Sequence, residues 1–359
     1  MSADAALAPA TESIPHTGQK SRPTNQGRAP LDDEPQFSII IAVHDAADHL
    51  DRCLSSILSQ DFIPFEVITV DDGSTDSSRS MLHRYARLDG RIRVVHQRNR
   101  GVGAARNTGL DLARGCHVLF MDDDDHLIDA GALSRLATAV ARTSADVVVF
   151  DYVYFAGRRR VIRSWGHADG ELRPARLTDL AGVVTELARR RLLLPVWNKA
   201  YRRRFLEESG LRFGDARVGE DGQFNFDAFR SARMIAVMNE CAYAYCVRLR
   251  SAMTTFRPAR LTDDVAGIRA SAEFFRDVGA HAPLAQRDTI TTAVREVRSA
   301  LSSAHPLRAL RVCVSHPGLR AELASVKPAD CGGDSRLLLA LVALKALWWA
   351  GPRRSEGEA

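Results

Sequence analysis

Four consecutive aspartates, Asp122 to Asp125, directly follow the apolar run Cys116 to Met121. A short continuous apolar run reads as a buried strand, so four carboxylates are delivered together at its end. Like charges this close repel, and a desolvated carboxylate is costly unless it is paired, protonated or bound to a cation. A divalent metal is the simplest relief. Side chains two apart on an extended segment share a face, so Asp122 and Asp124 are expected to hold one ion while Asp123 and Asp125 point elsewhere. Hard oxygen ligands suit Mg²⁺ or Mn²⁺, which keep waters and take further ligands from a substrate's phosphates. A diphosphate substrate is therefore the first expectation, and a solvated acidic turn is the bland alternative. A calcium loop of the EF-hand kind fails on spacing, because Leu127 stands where Gly is needed and Leu133 where Glu is needed.

The elements that must position this cluster follow from the hydrophobic pattern. Phe37 to Val43, Phe65 to Val70, Arg91 to His96, Cys116 to Met121 and Asp146 to Phe155 read as strands. Between them, Leu50, Cys53, Leu54, Ile57 and Leu58 recur at helical spacing, and Val102 to Arg114 and Ala130 to Ala141 read as helices. This alternation predicts an α/β fold with an open, mostly parallel sheet flanked by helices, whose ligands sit beyond the carboxyl ends of the strands. Further on, Thr178 to Leu194, Tyr201 to Ser209 and Phe224 to Arg230 read as helices, with Gly219-Glu220-Asp221 as an interruption. Met234 to Met238 and Cys241 to Val247 read as two short strands. From Pro258 the chain is Ala-, Arg- and Leu-rich with helical spacing, which predicts a helical C-terminal appendage.

Three loops should share the edge that carries the aspartates. The first is Ala42-Val43-His44-Asp45, and the second is Val70-Asp71-Asp72-Gly73-Ser74-Thr75-Asp76. Gly73 permits a tight turn, and Asp71 or Asp72 could accept hydrogen bonds from a base or ribose. Ser74 and Asp76 are better read as caps of the following helix. The third, Asn99 to Gly109, opens a helix whose N-terminus favours anions. It is no dinucleotide fingerprint, since Arg106 stands where the third glycine belongs. Arg106 reads instead as a cation reaching a nucleotide or the acidic cluster.

At 359 residues, 45% hydrophobic and 26% charged, the chain can bury one large core or two modest ones. The net charge of +5 suits anionic lipid or phosphorylated substrates and is too diffuse to argue for nucleic acid. Cys53, Cys116, Cys241, Cys246, Cys313 and Cys331 form no CxxC pair, which fits reduced thiols in a cytosol. The expected organisation is a disordered tail over 1–36, a catalytic domain over 37–257, the appendage over 258–334, and an apolar helix with a basic tail over 335–359. No apolar h-region follows a basic start, so no signal peptide is expected. The segment Leu337 to Ala350 is too short to span a bilayer. It reads either as a helix docked on the core or as a peripheral anchor at the inner face of the cell membrane, with Trp348, Trp349, Arg353 and Arg354 at the headgroups.

Together these residues resemble the family 2 glycosyltransferases, inverting enzymes with the A-type nucleotide-sugar transferase (GT-A) fold. The resemblance runs from Phe37 to about Thr255 and lies in an ordered set. The set comprises the strand into Val43, the Val-Asp-Asp-Gly-Ser-Thr-Asp stretch at 70–76, Gly-x-x-x-Ala-Arg-Asn-x-Gly at 101–109 and Phe-Met-Asp-Asp-Asp-Asp at 120–125. Trp197-Asn198-Lys199, Gly219-Glu220-Asp221 and Arg248 to Thr254 are also similar to that family. It implies metal ligation by Asp122 and Asp124, and a nucleotide site from Val43, Asp45, Asp71, Asp72, Gly101, Arg106, Asn107 and Asp123. It further implies Asp221 as catalytic base with Glu220 as its competitor, and acceptor contacts from Trp197, Asn198 and Lys199. Where the family commonly has Pro, an aromatic and Asn, this chain has Ala42, His44 and Asp45, which leaves the base of the donor open. The implied activity is transfer from a nucleoside diphosphate sugar, by family habit a UDP-sugar, to a polysaccharide, lipid-linked or other glycan acceptor. Two other readings compete. A nucleotidyltransferase would need a glycine-rich loop with a basic residue near the first strand, and Ala42 to Asp48 has none. A non-catalytic nucleotide-binding scaffold would have no reason to bear the repulsion among Asp122, Asp124 and Asp221.

Overall fold

The computed structural model describes residues 35–62, 64–156, 159–161, 173–176, 180–214, 219–247, 258, 260–280, 283–301, 312, 315–326 and 339–345. Its first half follows the β-branched runs. Strands β1 (Phe37–Val43), β2 (Phe65–Asp72), β3 (Ile92–Gln97) and β4 (His117–Asp122) lie parallel in the order β3-β2-β1-β4. Helices α1 (Ala47–Leu58), α2 (Ser78–Leu88) and α3 (Val102–Leu112) connect them. Strand β2 is buried at every position, as expected of a sheet covered on both faces. Gly109 lets α3 lie close on β1, since a Cβ there would stand 2.3 Å from Ile40 Cγ2. The register pairs Val43 with Asp71, Ala42 with Asp122 and Asp72 with Gln97. The strand ends that carry the acidic residues are thereby level along one edge.

The second half of the sheet is mixed. After β5 (His126–Leu127) and α4 (Ala132–Arg142), strand β6 (Val147–Ala156) runs parallel to β10 (Met234–Val247). The antiparallel β9 (Lys199–Arg202) is inserted between β4 and β6. Short β7 (Arg159–Val161) and β8 (Arg173–Arg176) complete a ten-stranded sheet, antiparallel to β6 and β10. Strand β9 replaces the start of the helix expected from Tyr201, and α6 begins at Arg203 (Arg203–Glu208). The two strands expected across 234–247 are one strand with register shifts around Cys241, so a bulge and not a turn separates them. Helix α5 (Leu180–Arg189) precedes β9. Glu220 and Asp221 do not interrupt a helix but form the first turn of α7 (Glu220–Ser231), behind Gly219 at φ 83°.

The C-terminal helices are α8 (Arg260–Asp277), α9 (Pro283–Leu301) and α10 (Pro317–Ser325), followed by a helical turn at 339–345. They bury a second apolar cluster that includes Leu261, Val265, Ile290, Leu319, Leu323, Leu341 and Leu344. Helix α8 also serves the main core, where Phe274 and Phe275 pack, and Phe274 stacks on Phe226 of α7 at 4.5 Å. At the other end, Pro35 and Gln36 are not tail, because their carbonyls accept from Cys116 N and His117 N. The rest of the expected tail, Arg248 to Thr254, Cys313, Cys331 and all of 335–359 except 339–345 lie outside the described residues. Among the described residues, no helix is long and apolar enough to cross a membrane.

Candidate active site

Strand β4 ends at Asp122, and the chain then turns, with Asp125 N donating to Asp122 O at 3.3 Å. The alternation of an extended segment therefore stops one residue into the run. Asp125, expected to point away, folds back beside Asp122 and Asp124, and the three offer carboxylate oxygens within 4.8 Å of one another. Asp123 does point elsewhere and accepts from His44 N at 3.2 Å. Asp125 is fully buried and accepts from Tyr243 Oη at 2.7 Å and Cys246 N at 2.6 Å. Burial and the neighbouring charges of Asp122 and Asp124 push its carboxyl well above the usual range. Tyr243 also receives Asp122 N at 3.2 Å, so one phenol fixes both ends of the turn. From α1, Arg52 donates to Asp124 O at 2.6 Å. An all-oxygen set with one desolvated carboxylate fits a hard divalent cation.

Arg106, on the second turn of α3, is the hub of the site. Its guanidinium is 3% exposed and ion-paired to three carboxylates on two other elements: Nη2 to Asp122 at 2.8 Å, and Nη1 to Glu220 at 3.1 Å and to Asp221 in a short contact. The guanidinium lies over the Phe213 ring, its Cζ 5.3 Å from the centroid. Asn107 clamps that support, exchanging two 2.9 Å hydrogen bonds with the Phe213 backbone. One guanidinium facing three carboxylates leaves a net negative site, so a proton is expected to be held there. Burial and the charge of Asp221 raise Glu220 to about 8 against the pull of Arg106. Burial also raises Asp221, with Arg106 opposing. Asp221 is the more accessible, its side chain 24% exposed against 10% for Glu220.

The rest of the edge is heavily cross-braced. Asp72 accepts from Gln97 Nε2, Arg100 N and Gly101 N, each at 2.8 Å, and so pins the loop into α3, where Gly101 takes φ 92°. Asp71 accepts from Ser74 N and pairs with His96 Nδ1, both at 2.9 Å. Both carboxylates are buried. Asp45, at φ 49°, accepts from Thr75 N at 2.7 Å, while its own amide donates to Ser74 Oγ at 3.1 Å. Ser74 therefore braces the first loop and does not cap α2, whereas Asp76 accepts from Ser78 N and from Ala47 N of α1. Val43 is fully buried. Asp45, Asp71, Asp72, Gly101 and Asp123 are thus brought to one edge, while Asn107 turns toward Phe213.

Trp197 and Asn198 lie immediately before β9, and Lys199 is its first residue. Trp197 is 7% exposed and stacks on Tyr243 (4.7 Å, 12°) and Tyr245 (5.3 Å, 16°). Asn198 and Lys199 are fully buried, with their polar atoms turned to backbone carbonyls, so in this structure they offer no surface to an acceptor. Sequence reasoning missed Tyr243 and Phe213 altogether. Tyr243 sits in an apolar strand with nothing local to mark its hydroxyl, and Phe213 is one aromatic among fourteen Phe.

The arrangement can be set beside known proteins. TarS from S. aureus, solved with UDP-GlcNAc, superposes with a TM-score of 0.62 at 20% identity, over 87% of this chain and 88% of that one. The mannosyltransferase PcManGT of Pyrobaculum calidifontis, solved with GDP-Man and Mn²⁺, gives 0.50 at 19% identity, over 88% of each chain. The fold is the GT-A fold. Residues 38–207 match the model of glycosyl transferase family 2. The succinoglycan biosynthesis protein ExoO of Rhizobium meliloti is 32% identical over 251 residues, covering 68% of this chain and 70% of the relative. The uncharacterized glycosyltransferase EpsJ of Bacillus subtilis is 33% identical over 213 residues, and the match spans 59% of this chain and 61% of EpsJ. In GlyA of Streptococcus pneumoniae the match, at 30% identity, spans 31% of the relative. This chain belongs to glycosyltransferase family 2.

Proposed function

We propose that the protein is a metal-dependent inverting glycosyltransferase that moves a sugar from a nucleoside diphosphate sugar to a glycan acceptor in polysaccharide biosynthesis. The observation that carries this is the shared guanidinium. Arg106 ties Asp122, at the donor end of β4, to Asp221 and Glu220, at the start of α7, so donor ligand and base face one another across a single cation. Family membership, the succinoglycan function in the name of ExoO, and the nucleotide-sugar complexes of TarS and PcManGT support the same reading.

In this scheme Asp122, Asp124 and Asp125 would hold Mg²⁺ or Mn²⁺, which would supply positive charge for the departing diphosphate. Asp221 takes the proton of the acceptor hydroxyl as that oxygen bonds to the anomeric carbon. The bond from that carbon to the β-phosphate oxygen breaks with its electron pair on the phosphate, and the opposite-face attack inverts the centre. Arg106 favours the ionised form of Asp221 against its burial, and Glu220, less exposed and raised to about 8, holds the proton the cluster cannot shed. Asp45, Asp71, Asp72 and Asp123 frame the nucleotide end; the braces described above order the loops there before the donor arrives. Trp197 supports this framework through Tyr243. A UDP donor and a polysaccharide or lipid-linked acceptor are the finer proposal.

Calorimetric titration with UDP, with and without Mn²⁺, tests it alongside an Asp122→Ala, Asp124→Ala variant. Binding that needs both the metal and the two aspartates is expected. Metal-dependent binding of GDP, CDP or TDP in place of UDP would change the donor, and no binding of any of the four would sink the proposal.

A further inference from the structure

Lys199 is fully buried on β9, yet no carboxylate lies within ion-pair distance of it among the described residues. Its Nζ donates to Leu192 O at 2.8 Å, to Asn198 Oδ1 at 2.8 Å and to Pro195 O in a short contact. Burial alone pushes such a lysine toward neutrality, and Asp221 pulls the other way. The hydrogen-bond count sides with the charge. Three acceptors match the three N–H donors of an ammonium, whereas a neutral amine has only two and would aim its lone pair at an oxygen.

Two of those acceptors belong to the segment Leu192–Trp197 that joins α5 to β9. Other donors pin the same segment: Asn198 Nδ2 to Leu192 O at 3.3 Å, and Asn225 Nδ2, from α7, to Leu194 O at 2.6 Å. The amide of Val196 then reaches Asp221 Oδ2 in a long contact of 3.5 Å. A segment with this many side-chain clamps is fixed from beneath, and what it presents to the site is one amide and one apolar side chain, Leu194, 41% exposed beside Gly222.

We propose that Lys199 is a positioning residue for Asp221: its buried ammonium gathers the carbonyls that set the Leu192–Trp197 segment, whose Val196 amide reaches the carboxylate, and adds a second positive charge to that carboxylate's surroundings. This rests on Asp221 being the base. Among the described residues, the charged and titratable groups around that carboxylate are Arg106 from α3, Asp122 from β4, Glu220 beside it on α7, and Lys199 and Tyr201 from β9. Arg106 is shared with the donor ligands; Lys199 is not. Among the described residues it is the cation near the base that is not ion-paired to Asp122.

The test is a ¹³C carboxyl NMR titration of aspartate-labelled protein, with the Asp221 signal assigned by its loss in Asp221→Asn. In Lys199→Met the Asp221 midpoint is expected to rise by roughly one unit, as for a carboxylate losing a nearby opposite charge, and in Lys199→Arg to stay near the wild-type value. A merely structural lysine predicts the opposite sign, because a loosened segment would hydrate Asp221 and lower its midpoint. Lys199→Gln serves where Met does not fold, with the same rise expected. An unmoved or lowered midpoint in a folded neutral variant overturns the proposal. Turnover of UDP-GlcNAc or GDP-mannose, whichever the wild type accepts, should show the acid limb of its pH profile displaced upward by the same amount, with nucleotide affinity within about twofold of wild type. If the wild type accepts neither, those two donors are excluded while the titration still decides the role of Lys199.

Discussion

Replacing Arg106 by Met removes the charge of the site's hub while an unbranched apolar side chain still fills the space along the stem. The substitution strands three carboxylates. Removing one partner of a buried ion cluster costs about 3–5 kcal/mol, and the lower end applies because Asp122 and Asp221 keep 30% and 24% of their side-chain exposure. The cost must depend on pH. Without the guanidinium, Glu220 and Asp221 rise further above their unfolded values than burial and mutual repulsion already lift them. A carboxyl raised in this way costs the fold nothing below its unfolded pKa, near 4, and costs progressively more as pH climbs toward the raised folded value. The deficit against wild type should therefore be about 1 kcal/mol at pH 5, where both carboxyls can be neutral, and about 3 kcal/mol at pH 8. Urea unfolding of the two proteins at these pH values, followed by far-UV circular dichroism, measures the difference directly. A deficit that is the same at both, or larger at pH 5, would refute the view that Arg106 neutralises this cluster.

Two further substitutions probe the frame. Tyr243→Phe removes the hydroxyl that serves Asp125 and Asp122 N, and should cost about 1–2 kcal/mol and weaken Mn²⁺ binding roughly tenfold; an electron paramagnetic resonance titration with unchanged affinity would rule out this bracing role. Gly115→Ala places a Cβ 2.5 Å from Ser38 N and 2.6 Å from Phe37 C, backbone atoms that cannot swing aside, so a loss of about 3 kcal/mol or more is expected in urea.

The parallel half of the sheet was legible because Phe37–Val43 and Phe65–Val70 are continuous β-branched and aromatic runs, a pattern that few other structures share. The mixed half was not. Strand β9 has four residues, one of them a lysine and one an arginine, and only its insertion between β4 and β6 makes it a strand. The aspartate turn shows the limit of local reasoning: the rule of alternating faces was applied to Asp122 through Asp125, but the chain leaves the strand at Asp122, and Tyr243 and Cys246, more than a hundred residues away, decide where Asp125 goes. The same holds for Arg106. Its type and place on α3 suggested a cation near acid, yet its pairing with Asp221 joins residues 115 apart in sequence, a separation that no spacing reveals. Lys199 was grouped with acceptor contacts through its neighbours in a motif, and nothing local to the sequence marks that its ammonium turns inward to Leu192 O, Pro195 O and Asn198 Oδ1.

Helix α8 belongs to two cores, and this governs how the chain can be taken apart. Its first turns hold Leu261 and Val265 against α9 and α10, while its last turns set Phe274 on Phe226 and offer Asp277 to Arg230 at 2.8 Å. The change in composition near Pro258 looks like a natural place to cut, but a fragment ending there would strip an aromatic cover from α7, the helix whose opening turn carries Glu220 and Asp221. A fragment carried through Gly279 would retain that cover and bare the apolar side of the α8 opening turns and the part of α5 that meets α9, faces that polar substitutions could dress. Chimeras that exchange the C-terminal helices between relatives should likewise splice after α8, so that the receiving chain keeps the helix already seated on its own α7.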